Sequence, residues 1–278
     1  MNYIFTHHSG NLNNKEKKRG LILFFNSILK NVKGCKVKFF TQNLDKEIPD
    51  ELKDIFKNNT DVIEVVKVKH LRLNIGSHCQ RFFYYIDYIN KHHDEFSNSD
   101  KFMHCDNSDV LFFDNIFDKL DNDDKVHIFR EDERFLLDNG ALNTEWLFHI
   151  GHQVLIDRVG KNVVCCSGTI LANNLKSFIS ICTDMCFAMM RCITSTGDLM
   201  NDQGIFNMIV HDTDHLIYSR DMIEFHRNEE PDLIFTMGVV DYDHKPVNDR
   251  IFVYDRFPSV IHQYNRHPEV FRWAEEII

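Results

Sequence analysis

Two aspartates directly follow a short apolar run in the segment KFMHCDNSDVLF at 101–112. Asp106 and Asp109 lie three positions apart, and a second hydrophobic run follows them. Hard divalent cations such as Mg²⁺ bind carboxylate oxygens and keep open coordination positions, which a diphosphate can fill. The same spacing suits two side chains that only cap a turn, because Asp and Asn are common in turns. The pair therefore leaves a metal site and a structural turn as alternatives.

The first half of the chain predicts that these aspartates follow a strand. Short segments rich in β-branched and aromatic residues alternate with longer segments of helical period, which is typical of βαβ units. The predicted strands cover 3–6, 36–41, 62–68, 101–105 and 126–129, and the predicted helices cover 15–31, 49–57 and 77–96. This order predicts an α/β fold with a mostly parallel central sheet and helices on both faces. Ligands of such sheets bind at the carboxyl ends of the strands, where both aspartates lie.

The second half of the chain has a less regular pattern. It predicts helices at 144–158, 174–193 and 201–211, a strand at 163–171, and a strand-rich C-terminal part with strands at 215–219, 232–236 and 250–254. The 5 prolines and 11 glycines form no linker, and the sequence contains no internal repeat. We therefore predict one continuous domain over 1–278.

The composition excludes several classes of protein. With 278 residues, of which 43% are hydrophobic, the chain can bury a large core, which excludes collagen, coiled coils and disordered tails. The formal net charge of −10, from 32 Lys and Arg against 42 Asp and Glu, disfavours binding to nucleic acid and to anionic lipid. A small anionic substrate stays compatible with this charge, because a bound divalent cation reverses the potential at one site.

The eight cysteines indicate a reducing environment. They form no CxxC pair, and several lie inside apolar runs such as CTDMCFAMMRC at 182–192. Buried, reduced thiols are typical of cytosolic proteins, so we predict core cysteines and a cytoplasmic location. No stretch approaches the roughly 18 apolar residues of a membrane span, so we predict no transmembrane segment.

Four segments match motifs that occur together, and in this order, in one family of enzymes. HCDNSDVLF at 104–112 is similar to an acidic metal-binding motif, and CSGTILA at 166–172 to a segment that lines the donor and acceptor pocket. NDQGIFN at 201–207 is similar to a helix start, and VIHQYNRHPE at 260–269 to a C-terminal strand with a metal-binding histidine. On these motifs the chain resembles the nucleotide-sugar-dependent glycosyltransferases of the GT-A fold. The resemblance implies a GT-A fold with a Rossmann-like N-terminal half.

The resemblance also implies a reaction and a cofactor. A hexose or related sugar would move from a nucleotide-diphosphate sugar to a hydroxyl group of a glycan, lipid or protein glycan, as in polysaccharide or glycan biosynthesis. Asp109 would coordinate Mn²⁺ or Mg²⁺ directly, Asp106 would reach the metal or the ribose, and His262 would complete the metal site; an imidazole ligand favours Mn²⁺. Two residues separate the aspartates where many family members have D-x-D, which leaves their division of labour open. Residues 1–112 would form the nucleotide-binding half, and 113–278 the half that binds the acceptor and completes the metal site.

The same resemblance implies roles for further residues. Asp202 would be a catalytic residue, either a ligand of a sugar hydroxyl or the base that removes the acceptor proton, with Gln203 beside it as a positioning group. A simple helix cap is the alternative for Asp202, because carboxylates are favoured at helix N-termini. Ser167 and Gly168 would let the backbone approach the donor sugar closely, since glycine has no Cβ.

The nucleotide itself would bind near the first strand and the third helix. The resemblance implies that Thr6 and His7 contact the base and ribose, and that Arg81 reaches the diphosphate. The aromatic residues that follow Arg81 recur at helical spacing and are expected in the core.

Two alternatives to a glycosyltransferase follow from the same residues. A sugar-phosphate nucleotidyltransferase shares the sheet, the cation and the aspartates, but it needs a Gly-rich basic loop after the first strand. The segment HHSGNLNN at 7–14 contains one glycine. A non-catalytic, transferase-like binding module predicts the loss of ligand residues, whereas the proposed ligands are present. We therefore predict a nucleotide sugar donor and a hydroxyl acceptor as the partners.

Overall fold

A computed structural model of the protein describes residues 1–12, 14–42, 48–71, 73, 75–196, 201–212, 220–239 and 242–278. In chain order its strands are β1 (Asn2–His8), β2 (Cys35–Thr41), β3 (Ile63–Lys67), β4 (Lys101–Cys105), β5 (Val110–Phe112), β6 (Val126–Arg130), β7 (Cys165–Ala172), β8 (Ile223–His226), β9 (Ile234–Thr236), β10 (His244–Val247), β11 (Arg250–Val253) and β12 (Val260–His262). Its α-helices are α1 (Lys15–Asn31), α2 (Asp50–Asn58), α3 (Arg81–Lys91), α4 (Ala141–Val159), α5 (Leu175–Thr196), α6 (Asp202–His211) and α7 (Pro268–Ile277).

The central sheet has seven strands in the order β3-β2-β1-β4-β7-β6-β8. Strand β7 is antiparallel to its neighbours β4 and β6, whereas the other neighbouring pairs are parallel. The predicted mostly parallel α/β sheet is therefore confirmed. Because β1 and β4 are parallel neighbours, the residues that follow His8 and Cys105 lie at the same edge of the sheet.

Helices cover both faces of this sheet, as predicted. Along β1 and β2, successive side chains point to opposite faces, so Ile4 and Val37 pack in one core and Phe5 and Phe40 in the other. Helices α1 and α2 bury apolar side chains in the first core, and α3 to α6 bury theirs in the second. A third core lies between the small sheet β5-β12-β9, the hairpin of β10 and β11, and α7.

Helix α3 is shorter than the aromatic spacing predicts. The spacing predicts a helix over 77–96, but α3 begins at Arg81 and ends at Lys91. Residues 77–80 form turns, because the side chain of Gln80 accepts a hydrogen bond from the backbone N–H of Leu71 at 2.8 Å and ties the turn to the preceding segment. The difference matters for the site, since it places Arg81 at the first helical position.

The structure contains several short elements that the sequence pattern does not indicate. Strands β5, β8 and β10 have three or four residues, which is too short for an alternating pattern to be recognised. Helix α7 is not among the predicted elements, although Val270, Ala274 and Ile277 recur at helical spacing and Pro268 stands at a position typical of a helix start. Strands β9 and β11 confirm the predictions at 232–236 and 250–254. The strand predicted at 215–219 lies outside the described residues.

The structure tests the predicted burial of the cysteines and the predicted absence of a transmembrane segment. Seven of the eight cysteines are buried and Cys186 is half-buried, which confirms that they belong to the core. Among the helices of the described residues, none combines the length and the hydropathy of a transmembrane segment.

A cavity of 480 Å³ lies between α4, α5 and α6. Helix α4 bends beside it, where Gly151 and His152 leave the helical conformation. Asp184 lines the cavity; its side chain is almost fully buried, and its Oδ2 has no hydrogen-bond partner among the described residues. Burial raises the pKa of Asp184 to about 6.

This carboxyl group is expected to destabilise the protein at neutral pH. The folded protein binds the Asp184 proton more tightly than the unfolded chain, whose carboxyl pKa is about 3.9, so stability falls as the pH rises from about 4 through 6. We expect Asp184→Asn to raise the free energy of unfolding by roughly 2–3 kcal/mol at pH 8 and by much less at pH 4. Melting temperatures of both proteins across this range measure the effect. The exposed Asp157→Asn on α4 is the control, and equal pH dependence of wild type and Asp184→Asn would contradict the prediction.

Candidate functional site

The structure brings Asp106, Asp109 and His262 together. Asp106 directly follows β4, Asp109 directly precedes β5, and His262 is the last residue of β12. Strands β5 and β12 are antiparallel with His262 opposite Val110, which places the histidine beside the aspartate loop. The Nε2 atom of His262 lies 3.6 Å from Oδ2 of Asp106 and 3.9 Å from Oδ2 of Asp109.

This cluster has the properties of a divalent-cation site. One ligand atom from each of the three side chains lies within 4.8 Å of the other two. The Nε2 atom of His262 is buried, and the part of the chain that the structure describes offers it no hydrogen-bond partner. Its Nδ1 atom lies 3.4 Å from Sγ of Cys166, which fixes the ring orientation. Two carboxylates and an imidazole are a donor set that suits Mn²⁺, so the residues fit the predicted cofactor.

Gly168 in β7 packs directly against Asp106 and His262 of the cluster. Its carbonyl accepts a hydrogen bond from the backbone N–H of Asp106 at 2.8 Å. A Cβ at this position would lie 2.5 Å from Oδ2 of Asp106 and 2.6 Å from Cε1 of His262. Glycine is therefore required here for space, since any side chain would displace both proposed ligands. Gly168 thus acts on the ligand cluster itself, beyond the predicted close approach to a sugar.

The two aspartates have different electrostatic environments. Burial alone would raise the pKa of Asp106, but the Arg81 guanidinium and His262 outweigh burial and hold this pKa well below its usual range. Burial raises the pKa of Asp109, although His262 opposes the effect. Its neighbours therefore hold Asp106 as a carboxylate. Asp109 accepts no guanidinium hydrogen bond among the described residues, so it gains more from a bound cation.

Arg81 joins the aspartate loop to helix α6. Its guanidinium donates from Nη1 to Asp106 and from Nη2 to Asp202, and its side chain is 6% exposed. The Nη2 atom also lies 3.4 Å from the carbonyl oxygen of Ser167 in β7. The resemblance implies that Arg81 reaches a diphosphate; the structure places it between two carboxylates at the cleft, where it sets their positions.

Asp202 and Gln203 lie at the start of α6. Asn201 supplies the helix cap, because its side-chain oxygen accepts from the backbone N–H of Gln203 at 2.8 Å. The carboxylate of Asp202 is therefore engaged with Arg81 rather than in capping. The Nε2 atom of Gln203 donates to Glu131 at 3.1 Å.

Thr6 and His7 lie at the end of β1, on the other side of the aspartate loop. Asn107, between the two aspartates, donates to Oγ1 of Thr6 at 3.1 Å and to the carbonyl oxygen of His7 at 3.0 Å. Thr6 is fully buried, so it supports the loop, whereas His7 reaches the cleft. Burial and the charge of Arg81 lower the pKa of His7 to about 3, which keeps its imidazole neutral.

Two adjacent cavities of 270 and 230 Å³ form the cleft at this edge of the sheet. Both are lined by Arg81 and Asp106, and also by His78. The first extends towards Asp202 and Gln203, and the second towards His7 and Asp109. Every predicted site residue except Thr6 thus lines the cleft or belongs to the ligand cluster.

Three residues of the site have no predicted role, although Gln263 lies within the motif at 260–269. His78 lies in the turn before α3, with Nε2 3.9 Å from Oδ1 of Asp202. Gln263 lies in the left-handed region at φ 61°, and its backbone N–H donates to the carbonyl of Asp109 at 2.8 Å. Burial raises the pKa of Glu131, against the hydrogen bond from Gln203. Glu131 directly follows β6, so its position at a strand end was a usable signal.

The parallel sheet with one antiparallel strand, the acidic loop at its edge and the histidine of β12 define an α/β protein of the GT-A type. Solved structures with the same fold include the galactosyltransferase LgtC in complex with donor and acceptor sugar analogues. That structure matches with a TM-score of 0.56 and 13% sequence identity, over 100% of this chain and 96% of that chain. An active-site mutant of LgtC matches with a TM-score of 0.55 and 14% identity, over 94% of this chain and 86% of that chain. No protein-family model and no curated protein sequence matches the chain.

Proposed function

We propose that the protein is a metal-dependent glycosyltransferase, which transfers a sugar from a nucleotide-diphosphate sugar to a hydroxyl acceptor. The proposal rests on the cluster of Asp106, Asp109 and His262, which lies at the edge of a GT-A sheet and opens into a cleft. A hexose is the proposed sugar, and galactose is the first to test, because LgtC is a galactosyltransferase of the same fold.

The reaction breaks the bond between C1 of the sugar and the oxygen of the diphosphate, and the acceptor oxygen forms a new bond to C1. Negative charge develops on the leaving diphosphate while the sugar gains oxocarbenium character. Mn²⁺ or Mg²⁺, held by Asp106, Asp109 and His262, would supply a Lewis acid that stabilises this charge. The overall acidic charge of the chain is compatible with such a donor, since the cation lies between like charges.

The other residues of the cleft bind and orient the substrates. The neutral ring of His7 faces the cavity on the β1 side, where the nucleoside is proposed to bind. Asp202 and Gln203 line the other cavity, where their side chains are proposed to bind sugar hydroxyls. Arg81 holds Asp106 and Asp202 in fixed positions, so both carboxylates are oriented before the substrates bind.

Thermal unfolding with nucleoside diphosphates tests this function. We expect UDP, GDP or CDP to raise the melting temperature only when Mn²⁺ is present, by the equivalent of about 2.7 kcal/mol at 100 times the Kd. Asp109→Asn should abolish this response, because it removes a ligand that Arg81 does not hold. Asp118→Asn removes the same charge from an exposed position a few residues away and should leave the response intact.

Two results would contradict the proposal. One is the absence of a response to every nucleotide with Mn²⁺, and the other is an unchanged response in Asp109→Asn. For the nucleotide that binds, release of the nucleoside diphosphate from its hexose conjugates then identifies the donor, with the galactose conjugate tested first.

A further inference from the structure

The structure assigns a second metal site to His127, Glu224 and His226, which we propose binds Zn²⁺. One ligand atom from each of these three side chains lies within 4.8 Å of the other two. The residues belong to β6 and β8, away from the aspartate loop, and none of them lines the cleft. The inference is therefore independent of the proposed transferase activity.

The backbone register brings the three side chains to one face of the sheet. Strands β6 and β8 are parallel, with His127 opposite Glu224 and Phe129 opposite His226. Because side chains alternate along a strand, residues two apart share a face, so both histidines and the glutamate point to the same side. The ring of Phe129 stacks on His226 at 5.0 Å between centroids and restricts its orientation.

A hydrogen-bond chain behind His127 directs its lone pair towards the proposed ion. The amide NH₂ of Asn173 donates to Asp123, so its Oδ1 is free to accept from Nε2–H of His127 at 3.0 Å. With the proton on Nε2, the Nδ1 atom of His127 carries a lone pair and lies 2.8 Å from Nε2 of His226. Metal-binding histidines characteristically donate their other ring N–H to such an oxygen.

A cation at this point takes the place of the proton shared by the two rings. Without the metal, Nε2–H of His226 donates a hydrogen bond to Nδ1 of His127. When the metal binds, the proton of His226 moves from Nε2 to Nδ1. Nδ1 of His127 and Nε2 of His226 then both act as ligands. Tetrahedral Zn²⁺ requires these nitrogens to separate from 2.8 Å to roughly 3.4 Å. The side chain of His226 is 23% exposed and can make this movement, whereas that of His127 is 6% exposed and stays fixed.

The chemistry of the cluster favours zinc. Two imidazoles and one carboxylate, with water at the fourth position, are a common Zn²⁺ donor set, whereas Mg²⁺ and Ca²⁺ prefer oxygen ligands. The Glu224 side chain is 47% exposed, so ion and water have access from solvent. Negative charges of Asp121 and Asp123 act on His127, and that of Asp232 acts on His226, which attracts a cation.

The ion would join β8 to the central sheet. Strand β8 has four residues, stands at one end of the strand order and pairs with β6. A ligand bridge between β6 and β8 adds a strong contact to this short pairing. We therefore infer a structural role, in which Zn²⁺ stabilises the folded protein by holding the β8 strand in place.

The test measures Zn²⁺ binding after treatment with EDTA, by calorimetry and by thermal unfolding. All variants carry Asp109→Asn, because this substitution removes a ligand of the proposed active-site cation and so suppresses binding of Zn²⁺ there. In this background we expect Zn²⁺ to bind with a stoichiometry of one and to raise the melting temperature. Adding His226→Asn should weaken the affinity at least 100-fold, and adding Glu224→Gln at least tenfold.

Co²⁺ gives a second readout, since a tetrahedral site with nitrogen ligands produces intense visible absorption bands. These bands should appear in Asp109→Asn and disappear in Asp109→Asn/His226→Asn. Because Glu224 is exposed, Glu224→Gln is expected to fold even if the His226 variant does not. The inference is overturned if Zn²⁺ neither binds to Asp109→Asn nor raises its melting temperature. It is also overturned if adding Glu224→Gln and His226→Asn leaves the Zn²⁺ affinity of Asp109→Asn unchanged.

Discussion

Arg81→Met is expected to lower the free energy of unfolding by about 3–5 kcal/mol, because it removes one partner of a buried charge network. Arg81 is 6% exposed and bonds to Asp106 and Asp202, and the side chain of Asp202 is itself only 7% exposed. Methionine has a similar length but no charge, so it leaves the Asp202 carboxylate buried without its cation. Chemical denaturation of both proteins measures the loss.

A second substitution and a control separate this effect from a simple packing defect. Asp202→Asn in the Arg81→Met background removes the uncompensated charge and should restore at least half of the lost stability. Arg227 and Glu133 form an exposed pair, with side chains 47% and 44% exposed, so Arg227→Met should cost less than about 1 kcal/mol. If Arg81→Met costs no more than this control, the guanidinium does not hold the two carboxylates.

The strands of the first half are the part of the fold that follows most directly from the sequence. Their apolar runs are buried on both faces, so β-branched and aromatic residues fill them continuously and helical segments separate them. The antiparallel direction of β7 does not follow from the same pattern, because a buried strand has the same composition in either direction. The short strands β5 and β8 are defined by their partners in the sheet, which no local pattern contains.

The sequence motifs predict which residues belong to the site, but not which of them are in contact. Asp106 and Asp109 lie on a predicted strand end, whereas the nearness of His262 depends on the pairing of β5 with β12, in which His262 stands opposite Val110. The contact of Arg81 with Asp202 likewise depends on the packing of α3 and α6 against α5, which residue spacing does not predict. Glu131 was predictable from the sequence, because it follows a predicted strand, as Asp106 does.

A small part of the acidic surplus lies at this site. Asp106, Asp109 and Asp202 lie at one cleft, and Arg81 offsets part of their charge. Like charges at such short distances are unfavourable unless a cation compensates them. The arrangement therefore favours a bound divalent ion, and through it an anionic substrate that the net charge of −10 would otherwise repel.

Gly168→Ala is expected to reduce catalytic efficiency by about 100-fold, because a displacement of reacting groups by about 1 Å has an effect of that size. The new Cβ would lie 2.5 Å from Oδ2 of Asp106 and 2.6 Å from Cε1 of His262, so both proposed metal ligands must move. The Mn²⁺-dependent rise in melting temperature with the nucleotide should shrink in parallel. Gly140→Ala is the matched control, since its Cβ would meet its nearest atom, Nδ2 of Asn143, at 3.5 Å. Wild-type nucleotide binding and turnover in Gly168→Ala would show that the cation does not bind between Asp106 and His262.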